Sequence, residues 1–247
     1  MKAAAPMNRW LLILLGAALL VVARPAAAGV EFENRSISFS GLDWLVKASR
    51  GRVGPGRNYF SDATDSVWVD DQGSLHLRIS KVPGSRRRWY CAEVLSTTSF
   101  GYGTYRFTLD SPVDGLDPNV VLGLFTWSDD PAFAHRELDV EFSRWGDPGN
   151  QNAQYVVQPF TSPGNIFRFD EPTGLATSTH LFSWSAGSVT FESEGTQGPF
   201  AEHVFTAGVP QPGGEVVHVN LWLNRRRGPT DGQPVEVVLR QFEFTPP

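Results

Sequence analysis

Alternation of apolar and polar residues is the feature of this sequence that most restricts its fold. After residue 29, apolar residues recur at every second position over short runs, and helical periodicity is nearly absent. Leu75, Leu77 and Ile79 fall on one face of such a run, and the run 102–109 alternates in the same way. Because successive side chains of a strand point to opposite faces, this period of two predicts strands that are each buried on one side.

The strand-like runs follow one another along the chain, with Gly, Pro, Asp and Asn between them. Short strands spaced by such turn signals are typical of a β-sandwich or jelly roll. The run 120–127 is mostly apolar, so we expect it to be buried on both faces. No repeat or linker interrupts the series, which predicts one domain over residues 29–247. The predicted strands cover residues 74–80, 102–109, 120–127, 153–160, 179–184, 188–193, 216–224 and 235–244.

The first 28 residues have the pattern of a signal peptide. A short basic start precedes an apolar run over residues 10–22, and three alanines end at Ala28. The apolar run is shorter than the roughly 20 residues that span a bilayer. Cleavage near Ala28 therefore predicts a secreted protein, extracellular or periplasmic, without a membrane anchor. An uncleaved anchor is the alternative.

Charge and cysteine content exclude several classes of protein. The formal net charge is −5 and no basic stripe is present, which argues against a nucleic-acid partner. The arginine runs 86–88 and 225–227 are interpreted as solvated turns rather than a polyanion site. Cys91 is the only cysteine, so an intramolecular disulfide is excluded and a buried free thiol is expected. We expect a monomer.

Three acids alternate with apolar residues in one predicted strand. The alternation places Glu137, Asp139 and Glu141 on one face, while the apolar residues from Leu138 to Phe142 share the core face. Like charges in line raise one another's pKa values, an arrangement that folding alone would not favour. It fits a site that needs one ionised and one protonated carboxyl, as glycoside hydrolysis does.

The pattern alone leaves two alternatives open: a solvated face of an edge strand, and a site for a hard cation such as Ca²⁺. Geometry also matters, because residues four apart on a strand have Cα atoms about 13 Å apart. A retaining glycosidase needs its two carboxyl groups about 5–5.5 Å apart. Long glutamate side chains on a concave strand would close that gap, whereas a flat strand would not.

The segment 137–141 resembles the Glu-x-Asp-x-Glu signature of the lichenase/laminarinase family, glycoside hydrolase family 16. Further segments resemble this family in the same order, over about residues 55–245: residues 90–105, 180–184 and 220–222. The resemblance implies an all-β, concanavalin A-like jelly roll, in which two antiparallel sheets form a sandwich with a concave substrate cleft.

The same resemblance implies an endo-acting, retaining hydrolase of a β-linked polysaccharide such as a β-glucan. Glu137 would be the nucleophile, Glu141 the general acid/base, and Asp139 the residue that assists the nucleophile. No cofactor or catalytic metal is expected. Many relatives carry a structural Ca²⁺, but the strand 239–244 lacks the Asp that helps to bind it. A carbohydrate-binding protein without catalysis and a transglycosylase remain alternatives.

Five further residues are candidates for binding the sugar: Glu93, His135, Tyr155, Gln158 and Trp184. His135 stands where lichenases have Trp; it would bond a sugar, tune Glu137, or lie on the surface. Glu93 would bind sugar or pair with a neighbouring arginine, and Trp184 would line the cleft or lie in the core.

Two further tryptophans, Trp127 and Trp222, lie in apolar runs, so the core is the favoured location for both. Leu95 and Phe191 depart from the family's pattern, which leaves the polymer and its linkage open.

Overall fold

The computed structural model describes Met1 and residues 35–247 of the chain. The predicted signal peptide, apart from Met1, lies outside the described residues. Strands account for nearly all regular structure, and two single-turn 3₁₀ helices span Ala134–Arg136 and Asn224–Arg226. Within the described ranges, no helix is long and apolar enough to cross a membrane.

Eight strands form an antiparallel sheet, here called the front sheet. They are β1 (Ser36–Phe39), β2 (Leu42–Val46), β6 (Trp89–Ser96), β8 (Val120–Trp127), β9 (Leu138–Phe142), β10 (Ala153–Val157), β11 (Ile166–Phe169) and β15 (Val216–Leu223). Their order across the sheet is β11-β10-β9-β8-β15-β6-β2-β1.

Seven strands form a second antiparallel sheet, the back sheet. They are β4 (Val67–Val69), β5 (Leu75–Lys81), β7 (Gly103–Leu109), β12 (Ser178–Ser185), β13 (Ser188–Gly195), β14 (Gly198–Phe205) and β16 (Val235–Thr245). Their order is β14-β13-β12-β7-β16-β5-β4. The end of β5 pairs with the start of β6 and so joins the sheets, and β3 (Tyr59–Phe60) pairs in parallel with β6.

The two sheets pack face to face around an apolar core, which confirms the predicted jelly-roll sandwich. Leu75, Leu77 and Ile79 of β5 are fully buried, as their alternation predicted. Leu138 and Val140 of β9 are also fully buried. The period of two therefore identified the core face of both strands correctly.

Aromatic rings fill the space between the sheets. Tyr155 of the front sheet stacks on Phe191 of the back sheet, with ring centroids 5.0 Å apart. Tyr105 stacks on Phe182 at 4.6 Å within the back sheet. Cys91 is buried in the same core as a free thiol, as predicted, and burial raises the pKa of that thiol.

A chain of buried hydrogen bonds crosses this core. The Tyr155 hydroxyl donates to Ser193 Oγ at 2.6 Å, and Ser193 Oγ also bonds His180 Nδ1 at 2.8 Å. His180 Nε2 bonds Ser178 Oγ at 2.9 Å. Burial lowers the pKa of His180 to about 3, so its ring is neutral and each nitrogen has a partner. The chain ties β10 of the front sheet to β12 and β13 of the back sheet.

Candidate active site

A cleft of about 1070 Å³ lies over the outer face of the front sheet. Its lining includes all three predicted acids, Glu137, Asp139 and Glu141. Phe142, like the apolar residues that alternate with these acids, is buried on the opposite side. All three carboxyl groups thus face one cleft, in agreement with the shared face that the alternation predicted.

One row of directly paired residues crosses the floor of the cleft. The register places residues of six neighbouring strands side by side: Arg168, Gln154, Glu141, Gly123, Asn220 and Glu93. All six line the cleft. Glu141 thus lies in the middle of a floor that offers polar groups on both sides.

Glu137 lies just outside the regular part of β9, which begins at Leu138. The prediction that all three acids lie on one strand is therefore corrected for Glu137. Its backbone is nevertheless extended (φ −88°, ψ 122°), and its carbonyl accepts a bond from the Gln158 N–H at 3.2 Å. The extended conformation keeps its side chain in phase with Asp139.

Glu137 and Asp139 form a pair of neighbouring carboxyl groups. Asp139 is only 3% exposed, and its carboxyl lies within hydrogen-bonding reach of Glu137. Burial, together with the charge of Glu141, raises the pKa of Glu137 to about 8. Burial and the charges of both glutamates raise the pKa of Asp139 well above its ordinary value. The pair therefore retains a proton near neutral pH, and the hydrogen bond between the two carboxyls favours the ionised form of Glu137 and the protonated form of Asp139.

Glu141 is held by a separate partner. Gln154 Nε2 donates to Glu141 Oε2 at 2.7 Å. Burial raises the pKa of Glu141 to about 7, although this hydrogen bond and the charge of Arg168 oppose the rise. Glu141 is therefore protonated below about pH 7 and can act as an acid.

Two glutamines from one segment thus orient two of the acids. Gln158 Nε2 donates to Asp139 Oδ2 at 3.0 Å, in the same way that Gln154 serves Glu141. Gln158 was predicted to line the cleft, and it does. Gln154 was missed, although its spacing of four from Gln158 places both on one face of an extended segment.

Glu93 lines the cleft but is occupied by two partners. Lys47 Nζ lies 2.7 Å from one carboxylate oxygen, and His218 Nδ1 lies 2.9 Å from the other. Burial alone would raise the pKa of Glu93, but the Lys47 charge and the His218 hydrogen bond together bring it below its ordinary value. Its predicted ion-pair partner was an arginine, whereas the structure supplies Lys47.

Two predicted cleft residues lie in the core instead. Tyr155 is fully buried and pairs with Val140, so it shares the core face. Its predicted place in the cleft was wrong because residues 155 and 158 are an odd number apart and face opposite sides of an extended segment. Trp184 belongs to the back sheet, is 2% exposed, and donates from Nε1 to the Pro210 carbonyl at 3.1 Å. Its core alternative is therefore correct.

His135 supports the wall of the cleft rather than facing its interior. Its ring lies nearly parallel to Trp127, with centroids 4.0 Å apart and an interplanar angle of 8°. Its Nδ1 bonds the Ser128 carbonyl at 2.8 Å, while Trp127 itself lines the cleft. The predicted direct role of His135 in the cleft is corrected to a contact behind Trp127.

The tryptophans of the cleft were missed by sequence analysis. Trp127 and Trp222 were predicted to lie in the core, but both are partly exposed and line the cleft, as does Trp145. Trp222 pairs with Val121, six residues along β8 from Trp127, so the two rings flank the acids from opposite sides. The sequence offered one partial indication. Trp127 is an odd number of residues from Leu122 and Leu124 on β8, so it faces the side of the sheet opposite to these two core residues.

The arrangement can supply a nucleophilic carboxylate and a carboxylic acid at one site. In residues 35–247, no group of three or more His, Cys, Asp or Glu side chains is arranged to hold a metal ion. The arginine runs 86–88 and 225–227 are exposed, and the first has no regular structure, as predicted. The prediction of a turn is corrected for the second run, because residues 225 and 226 belong to the second 3₁₀ helix and Arg225 reaches the cleft lining.

Part of the sequence is similar to bacterial β-glucanases. It is 23% identical to the β-glucanase of Paenibacillus macerans over 160 residues, which are 64% of this chain and 62% of that one. The β-glucanase of Paenibacillus polymyxa is matched over 58% of its length. The chain thus spans about six tenths of these curated relatives. No protein-family model matches it.

Solved structures of glucanases have the same fold. A Bacillus licheniformis β-glucanase superposes with a TM-score of 0.62 at 17% identity, over 91% of this chain and 100% of that one. A glycoside hydrolase family 16 endo-glucanase from Bacteroides ovatus gives 0.58 at 15%, over 82% and 94%. A pseudo β-1,3-glucanase of Mycobacterium tuberculosis gives 0.59 at 16%, over 83% and 91%. The chain thus has the jelly-roll fold of these glucanase structures, and part of its sequence is similar to two bacterial β-glucanases.

Proposed function

We propose that this protein is a secreted, endo-acting glycoside hydrolase that cleaves β-glycosidic bonds of a polysaccharide with retention of configuration. The observation that carries the proposal is the placement of Glu137, Asp139 and Glu141 in one cleft, with raised pKa values and separate hydrogen-bond partners. Environments that separate the protonation states of neighbouring carboxyls are typical of acid/base catalysis.

In the first step, a carboxylate oxygen of Glu137 attacks the anomeric carbon and forms a glycosyl ester. Glu141 donates its proton to the glycosidic oxygen as the bond to the leaving sugar breaks. Asp139 donates a hydrogen bond to Glu137 and so favours its ionised form before attack. Burial of the three groups excludes water and strengthens each of these interactions.

In the second step, Glu141 is ionised and removes a proton from a water molecule. The water oxygen attacks the anomeric carbon, and Glu137 leaves as a carboxylate. One water is consumed for each bond cleaved, and both acids return to their starting states. Two displacements on the same carbon give net retention.

The shape of the cleft supports cleavage inside a chain. The floor row runs from β11 to β6 across six strands, a span of about 24 Å at the usual strand spacing. A floor of that length accommodates several sugar rings, and Trp127, Trp145 and Trp222 offer apolar faces for stacking on them. Secretion is supported by the signal-peptide pattern that ends at Ala28.

A reducing-end assay on a panel of polysaccharides tests the proposal. The panel spans mixed-linkage and β-1,3-glucans, xyloglucan, agarose, carrageenan and porphyran. We expect residues 29–247 to cut at least one polymer, and Glu137→Gln to lose at least about 1,000-fold in rate because the nucleophile is gone. Equal cleavage by both proteins contradicts the role of Glu137. Binding of one polymer without cleavage by either protein favours a carbohydrate-binding protein instead.

A further inference from the structure

Four consecutive residues directly before Glu137 have left-handed backbone conformations. Phe133, Ala134, His135 and Arg136 have φ values of 53°, 51°, 65° and 55°. None is glycine, and for residues with a Cβ each such conformation costs free energy. A left-handed turn of this length persists only where its surroundings hold it, and such outliers cluster at functional sites.

The hydroxyl of Thr126 bonds both peptide groups that flank Glu137. Thr126 Oγ1 donates to the Arg136 carbonyl at 2.8 Å and accepts from the Leu138 N–H at 3.2 Å. Thr126 is fully buried on β8, the strand beside β9. Regular pairing of these two strands ends at Phe125, so the hydroxyl takes the place of the next ladder bonds. One hydroxyl therefore holds the backbone on both sides of Glu137, and the Gln158 N–H holds the carbonyl of Glu137 itself.

The side chain of Arg136 anchors the turn from behind. It is 8% exposed, and its guanidinium donates to the Gln211 carbonyl at 3.1 Å and to Asp130 Oδ2 at 3.1 Å. It packs directly on Gly213, where an added Cβ would lie 2.3 Å from Arg136 Nε. A buried guanidinium needs such partners, so displacing it would release the turn.

We propose that Thr126 and the left-handed turn 133–136 form a positioning device that holds the Glu137 carboxyl against Asp139. This inference rests on the proposed function, because it assigns the device to the nucleophile of that reaction. Thr126 and Arg136 are positioning residues, since neither lines the cleft. Glu137 lies outside β9, where regular pairing with β8 has ended, and the device holds its backbone there instead.

Thr126→Val tests the device, because it keeps the shape of the side chain and removes the hydroxyl. A misplacement of the nucleophile by about 1 Å costs up to about 100-fold in rate. We therefore expect kcat to fall about 10–100-fold with KM nearly unchanged. Thr126→Ser retains the hydroxyl and should restore most of kcat. The matched control is Ser96→Ala, because the Ser96 hydroxyl also bonds one carbonyl and one N–H, at Thr98 and Val217.

A second variant and a second readout separate the outcomes. Gly213→Ala should displace Arg136 and lower kcat in the same way, whereas Gly115→Ala has open space around its new Cβ and should not. Carbon NMR of the carboxyl groups should show the titration of the Glu137 and Asp139 pair shifted by at least about 0.5 pH unit in Thr126→Val. This readout needs no substrate, so it decides the inference even where no polymer is cut.

The inference is overturned if Thr126→Val melts at a lower temperature but keeps the kcat and the carboxyl titration of the wild type. It is also overturned if Ser96→Ala and Thr126→Val lose kcat equally, because the effect would then be a general loss of stability.

Discussion

At the scale of single residues, environment distinguishes three carboxyls of similar chemistry. Glu141 bonds Gln154, whereas Asp139 bonds Gln158 and lies against Glu137. The pKa values of both members of the pair are raised, whereas Glu141 is protonated below about pH 7. Similar acids thereby differ in their hydrogen bonds and pKa values, because their neighbours differ, and the proposed mechanism assigns them different roles.

Glu141→Gln tests the acid role at this scale. The amide introduced at position 141 can still accept the bond from Gln154 through its oxygen. It cannot donate a proton to the leaving sugar oxygen. We expect kcat to fall about 10²–10⁴-fold for substrates with a poor leaving group. Glu243→Gln, on an exposed strand position, is the matched control and should keep full activity. Steady-state rates on the cleaved polymer measure both.

The wild-type pH profile carries a second prediction. In the first step Glu137 must be ionised and Glu141 protonated, and their pKa values are raised to about 8 and about 7. We therefore expect kcat/KM to follow a bell-shaped pH profile with its maximum between about pH 7 and 8, and the ionisation of Glu141 to cause the fall above that maximum. The Glu141→Gln variant should lack this basic limb. A wild-type rate that continues to rise to pH 9 would contradict the assignment of Glu141.

At the scale of elements, the side chains of β10 alternate between the two faces of the front sheet. Gln154 faces the cleft, whereas Tyr155 faces the core and donates to Ser193. Tyr155→Phe should therefore lower the free energy of unfolding by about 1–2 kcal/mol, since a buried hydrogen bond is lost. KM should be unchanged. Urea unfolding measures the change in stability, and steady-state kinetics measure KM. A raised KM without a loss of stability would indicate that Tyr155 contacts the substrate and would contradict its place in the core.

Trp222→Ala should give the opposite result. Trp222 is partly exposed in the cleft and offers an apolar face to a sugar ring. We expect KM to rise about 3–10-fold, which corresponds to the roughly 0.5–1.5 kcal/mol of an aromatic contact. An unchanged KM for every polymer that the protein cleaves would remove Trp222 from the binding surface.

Strands with clear alternation were predictable from sequence, and others were not. The predictions for β5, β7, β8 and β15 match the structure within a residue or two. Strand β14 was missed because most of its residues are partly or fully exposed, so its sequence does not alternate between apolar and polar residues. Strands β1 and β4 were missed because runs of four and three residues carry too little pattern.

The site was predictable where it depends on one strand alone. Alternation placed Asp139 and Glu141 correctly, but the cleft position of Trp127 depends on which face of a doubly apolar strand meets the cleft. That choice is set by pairing with distant strands. The turn that carries His135 was not predictable, because non-glycine residues rarely adopt left-handed conformations in succession.

At the scale of the whole molecule, the buried acids make stability depend on pH. Glu137 and Glu141 have raised pKa values in the folded state, so the folded protein binds more protons than the unfolded chain above about pH 4.5. The stability they contribute is fully present below that pH and is lost as pH rises through about 7–8. Buried neutral His180 has the opposite effect at low pH, since its folded pKa is depressed.

Glu141→Gln should therefore stabilise the protein at high pH. We expect the variant to exceed the wild type in free energy of unfolding by roughly 1–3 kcal/mol at pH 8.5, and the difference to shrink toward pH 4.5. The contribution of His180 is common to both proteins and cancels. Urea unfolding at the two pH values measures the difference. A variant less stable than the wild type at both values would contradict the raised pKa.

The proposed mechanism requires Glu137 to form a covalent bond to the sugar. The most direct test is the mass of the protein after incubation with a 2-deoxy-2-fluoro glycoside of the disaccharide released from its polymer. We predict that the mass of the protein rises by that of one fluorinated disaccharide unit, and that peptide mapping locates this unit on Glu137. A label on Glu141 or Asp139 would contradict the assignment of Glu137 as the nucleophile. A first product of inverted configuration, with no label on the protein, would contradict the retaining mechanism.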